Sequence, residues 1–189
     1  INKNLASVQN EISTGKKVSS AKDNAAIWAI STVMSRARDA SKTIDDVVEM
    51  RGLMGKERPP RHAFDLKLAD GGLVDLEFIA QSAQLVAGKT IALPQATPAQ
   101  VLVRLSETDL VPAGRRLAEI HQVYSTVMQV MTAALIDPLK DEPWPNAFKE
   151  LLAGLTHYPD FGRLEIDLAD MRAEVSAAAA QWYAKARTL

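Results

Sequence analysis

The sequence predicts an all-α protein, and three observations carry that expectation. Apolar residues recur at spacings of three and four along most of the chain. No stretch sustains the alternation of β-branched and polar residues that marks a half-buried strand, so almost no sheet is expected. Glycine, proline and short polar residues stand where such helices would start or stop. The expected architecture is a helical bundle with an N-terminal helical hairpin, whose second helix is long and runs into the bundle.

The first helix is read from Ile1, Leu5, Val8 and Ile12, with Gly15 able to stop it. Lys16 to Lys22 is a polar connector. Asp23 or Asn24 can cap the next helix, because a short side-chain oxygen accepts from the free amides of the first turn. Ile27, Ile30, Met34, Ala37, Ser41, Ile44 and Val48 then keep one register without a phase break. A helix from Ala25 to Met54 would be about 45 Å long. Pro59 and Pro60 end this region. Arg61 to Asp70 reads as a loop or short extended segment.

A helix from Gly72 to Ala87 follows, with Gly88 as its expected cap. Ala92 to Ala96 forms a turn around Pro94. Thr97 caps a short helix reaching Glu107, with Pro98 in its first turn. Pro112 to Ile136 reads as a long helix with Leu117, Ile120, Tyr124, Val127 and Met131 on one face. Asp137 to Pro145 is a proline-rich connector, and Asn146 opens a short helix ending near Thr156. The last helix runs from about Arg163 to Arg187, with Leu164, Leu168, Met171, Val175, Ala178 and Trp182 as its seam.

At 189 residues the chain can bury one good-sized core, or one core with an appendage. Its 47% hydrophobic and 24% charged residues are ordinary for a globular protein. A net charge of −1 gives no general affinity for nucleic acid or an anionic membrane. With no cysteine, disulfides and thiolate metal sites are excluded, which fits a cytoplasmic location. No apolar run approaches the roughly 20 residues that span a bilayer. The opening residues lack the basic-then-apolar pattern of a signal peptide, so none is expected.

Chemistry concentrates in the stretch DLKLADGGLVDLEFIAQ, Asp65 to Gln81. Two glycines, Gly71 and Gly72, lead into a helix that is apolar nearly all round, the pattern of a buried helix. Asp75 and Glu77 are out of place there, because carboxylates avoid burial unless paired or beside water. Lys67 and Arg51 are candidate partners. Two readings stand open. Acidic groups in a first turn are favoured by the helix dipole alone, or the carboxylates serve a site. The histidines, His62, His121 and His157, are too far apart to suggest a metal centre. Trp144, Phe148, Trp182 and Tyr183 read as core anchors, and Arg115 and Arg116 as a solvated helix face.

This stretch resembles the helical domain that follows the catalytic domain in glutamine synthetase adenylyltransferases. Arg51 in VVEMRGLM, Asp65, Lys67, Gly71, Gly72, Asp75, Glu77, Phe78 and Gln81 fall on the family's pattern. The resemblance covers about residues 44–189. It implies a parent enzyme that uses ATP and Mg2+ to transfer AMP to a tyrosine of glutamine synthetase, under control of glutamine and PII proteins. It also implies that Arg51, Lys67, Gly71, Gly72, Asp75 and Glu77 stand behind the nucleotide site without holding its metals. Catalysis in that superfamily uses a Gly-Ser turn followed by an Asp-x-Asp pair, and this chain contains no such combination. No catalytic residue, metal or cofactor is therefore expected here, and the isolated chain is expected to be inactive.

The opening residues tell a different story. Ile1 to Ser35, centred on STGKKVSSAKDNAAIWAIS, resembles the N-terminal region of bacterial flagellin. The expected division is a flagellin-like segment at 1–43 and an adenylyltransferase-type helical domain at 44–189. The apolar stripes of the first segment could cover the bundle or pair with another copy of the chain. A flagellin-related structural protein, or a helical interaction module without catalysis, is the competing reading.

Overall fold

The computed structural model describes residues 40–57, 62, 64–87, 96–134, 136 and 143–189. Among these the protein is all-α, with six helices and no strand. They are α1 (Ala40–Glu57), α2 (Leu73–Ala87), α3 (Pro98–Ser106), α4 (Gly114–Ala133), α5 (Asn146–Leu155) and α6 (Phe161–Ala186). The expected N-terminal hairpin and the Gly88 cap lie outside the described residues; of the helix continuity expected through Arg36–Asp45, the part from Ala40 on is helical in α1 and the part before it lies outside them.

α2 is the centre of the bundle and packs against α1, α3, α4 and α6. Val74, Leu76, Phe78, Ile79, Ala80 and Ala83 are all buried, as an all-round apolar helix requires. One polar residue among them is satisfied internally. The Ser82 hydroxyl donates to the Phe78 carbonyl (2.5 Å) and accepts from the Trp182 indole Nε1 (2.8 Å), tying α2 to α6. Every residue of the predicted seams of α4 and α6 is buried. On α1 the buried face is Thr43, Ile44, Val47 and Arg51, while Val48 is only half-buried.

α3 starts as its sequence dictates. Thr97 accepts from the Gln100 amide, Gln100 reaches back to the Thr97 amide, and Pro98 occupies the first turn. α4 begins at Gly114, where a Cβ would fall 2.1 Å from the Leu102 carbonyl oxygen, so α3 and α4 touch backbone to backbone. α6 starts earlier than its seam suggests, because Asp160 accepts from the Arg163 amide and caps it. An aromatic cluster closes the end of the bundle near α5. Phe64 lies 4.6 Å from Trp144 and 5.6 Å from Phe161, ring centre to ring centre. It anchors the segment leading into the double glycine.

Candidate functional site

The segment 65–72 folds back on the start of α2 and supplies acceptors for its first amides. Leu73 donates to Leu66 O (2.8 Å), Val74 to Lys67 O (3.2 Å), and Gly72 to Ala69 O (2.9 Å). A helix start leaves such amides without partners inside the helix, so this loop works as a backbone cap. Both glycines are required by contact. Gly71 has φ +75°, and a Cβ there would lie 1.9 Å from the Arg172 carbonyl oxygen of α6. A Cβ on Gly72 would lie 2.5 Å from Leu66 O.

Asp75 points inward from the first turn of α2. Arg51 Nε donates to Oδ1 (2.5 Å) and Nη2 to Oδ2 (2.9 Å), and the Gly71 amide also donates to Oδ2 (2.7 Å). Arg51 Nη2 also donates to Ala69 O (3.2 Å) and Leu68 O (3.3 Å). Burial alone would disfavour the guanidinium charge. The hydrogen bond and charge of Asp75 outweigh it, and Arg51 is held more firmly protonated than usual. Arg172 Nε donates to Asp70 O (3.2 Å). Two arginines from two helices thus hold three consecutive carbonyls of the loop. Arg172 escaped the sequence reading; its place beside the α6 seam was visible, but its contact a hundred residues away is tertiary.

Glu77 lies two residues beyond Asp75 and so about 200° further round the helix. It is half-buried on a stripe with Leu73 and Gln81, while Lys67 is exposed on the preceding loop. Burial pushes the Glu77 carboxyl upward, and the charge of Lys67 partly opposes that shift. The six sequence-selected residues therefore separate. Arg51, Gly71, Gly72 and Asp75 form an internal strut, and Lys67 and Glu77 look outward. Tyr183 lies beside the strut, its buried hydroxyl without a hydrogen-bond partner among the described residues; burial, then the Asp75 charge, pushes its phenol well up.

The histidines do not converge, and among the described residues no group of three or more His, Asp or Glu could hold a metal ion. Arg115 and Arg116 are both exposed, as a solvated helix face requires, and Arg116 pairs there with Glu174 of α6 (3.0 Å). Among the described residues no helix is long and apolar enough to cross a membrane.

Two family profiles match this chain. One, described as GlnD PII-uridylyltransferase, covers residues 42–135, and the other, the bacterial flagellin N-terminal helical region, covers residues 1–52. Curated relatives carry the name bifunctional glutamine synthetase adenylyltransferase/adenylyl-removing enzyme. That of Caulobacter vibrioides is 39% identical over 152 residues, 79% of this chain and 15% of the relative. That of Brucella suis is 38% identical over 151 residues, again 79% of this chain and 15% of the relative. That of Mesorhizobium japonicum is 36% identical over 149 residues, 77% of this chain and 15% of the relative. The chain thus spans about 15% of the length of these relatives. No solved structure matches it. Over most of its length the chain belongs to the glutamine synthetase adenylyltransferase family, with flagellin-type residues at its start.

Proposed function

We propose that residues 44–189 are the helical domain of a bifunctional glutamine synthetase adenylyltransferase/deadenylylase and stand behind its nucleotide site. The parent reaction moves AMP from ATP to a tyrosine of glutamine synthetase with Mg2+ and is governed by PII proteins, in the cytoplasm. On this reading the metal-binding carboxylates come from a separate catalytic domain, and the chain alone is inactive. The supporting observation is the division of the motif. Arg51 and Asp75 fix the double-glycine loop from within, which leaves Lys67 and Glu77 presented together on the outer side of the central helix. A cation and a carboxylate beside a nucleotide could bind and orient it.

The flagellin match supports a second reading, self-association or filament building through the N-terminal helices. Residues 42–52 belong to both matches, and there Ile44 and Val47 are fully buried in the bundle. That face is not free to pair with another flagellin-type helix, which favours the adenylyltransferase reading for this part of the chain.

A chimera tests the proposal. In the Caulobacter relative, the matched region is replaced by residues 40–189 of this chain, and adenylylation of glutamine synthetase is assayed. Retained AMP transfer is expected. A folded chimera that neither binds ATP nor transfers AMP contradicts the proposal.

A further inference from the structure

Next to the strut, α1, the glycine loop and α6 enclose an open cleft of about 320 Å³, which neither Lys67 nor Glu77 lines. Small residues create the space: Gly52 and Gly55 on α1 face Ser176 and Ala179 on α6. A Cβ on Gly52 would meet nothing within 4 Å. The volume is at the lower end of small-molecule sites, which run from roughly 300 Å³ upward.

The buried carboxylate of this cleft is already satisfied. Both Asp75 oxygens are taken, by Arg51 and the Gly71 amide. Arg51 has a side chain only 10% exposed, and its Nε and Nη2 are committed. Its Nη1 makes no hydrogen bond among the described residues and lies 3.4 Å from where a Cβ of Gly55 would stand, one turn further along α1. Lys56 and Ser176 add donors with no partner among the described residues. Among the residues lining the cleft the other charged acceptor is Asp70, which accepts from Arg51 Nη2 through Oδ1 (3.4 Å) and whose side chain is 89% exposed at the rim. Free donors with a buried guanidinium at their centre select an acceptor.

We propose that this cleft binds the oxyanion of a small molecule, a carboxylate or a phosphate, with Arg51 Nη1 as central donor and Lys56 and Ser176 at the rim. The site draws on Arg51 and Asp75 of the motif but on neither Lys67 nor Glu77, the pair offered to the nucleotide. Asp75 and Asp70 offset the charges of Arg51 and Lys56, so affinity is set by the donors and is modest, on the order of millimolar.

Amide spectra of the full, isotope-labelled chain test this with two probes, inorganic phosphate and acetate, at constant ionic strength. Saturable shifts at Gly52, Gly55, Lys56 and Ser176 are expected with at least one probe, and the tighter arm identifies phosphate or carboxylate as the preferred group. Lys56→Gln should weaken binding about tenfold, the loss of one charge-assisted hydrogen bond. Gly52→Leu should fill the cleft and abolish the shifts while leaving the remaining spectrum folded. Non-saturating shifts in both arms, binding that survives Gly52→Leu, or unchanged affinity in the exposed Lys56→Gln variant would each overturn the proposal.

Discussion

Replacing Asp75 by asparagine takes one charge out of a pair whose side chains are 8% and 10% exposed. An acidic group that only answers the helix dipole is worth about 0.3–1 kcal/mol. A buried pair broken from one side costs up to about 3–5 kcal/mol, and here the guanidinium would keep only the exposed carboxylate of Asp70, at 3.4 Å, as counter-charge. Asp75→Asn should therefore destabilise the fold by several times the dipole value, read from the urea midpoint. Glu77 behaves in the opposite sense. Its carboxyl is raised in the folded state by burial, so the unfolded chain ionises first as pH rises. Its contribution is thus most favourable below the ordinary glutamate range and is lost as pH rises through the raised value. Glu77→Gln should remove that fall and leave stability at neutral pH unchanged or higher, as thermal midpoints across pH 4 to 8 would show. The motif residues were legible in the sequence, because carboxylates in an all-apolar helix stand out. Their opposite facing was equally implied by the helical repeat, but the partner of each depended on α1 and the loop docking.

Helices were legible wherever a cap or seam is written locally. Thr97, Pro98 and Gln100 fix the start of α3 within four residues of chain. The seams of α4 and α6 bury every residue their spacing selects. The start of α4 was not legible, because the reason for Gly114 lies in α3. A methyl there would meet the Leu102 carbonyl, so Gly114→Ala should cost about 1–3 kcal/mol through overpacking. Gly71→Ala adds a positive φ to a clash with the α6 backbone and should cost about 3 kcal/mol or more. The end of α5 offers a contrast. His157 has φ +61°, is exposed, and closes the helix by donating from its amide to Gly154 O. His157→Gly should stabilise the protein by up to about 1 kcal/mol, since glycine takes that conformation without strain. Calorimetric midpoints of the three variants check all these signs.

For the whole molecule, the central claim is that one motif divides its labour between an internal strut and an outward pair. The two-part origin of the chain was legible from its opening residues and from the double-glycine stretch. What was not legible is how α1 serves both: its shared residues bury Ile44 and Val47 and deliver Arg51 to Asp75. The isolated chain, given labelled ATP, magnesium and glutamine synthetase, should leave the synthetase unlabelled. The most direct measurement is turnover and thermal midpoint of Glu77→Gln in the chimera built on the Caulobacter relative. At least about a tenfold fall in turnover is expected, roughly 1.4 kcal/mol in the barrier, at a midpoint unchanged or higher. Unchanged turnover in a folded chimera would contradict it and leave the outward pair without a part in the reaction.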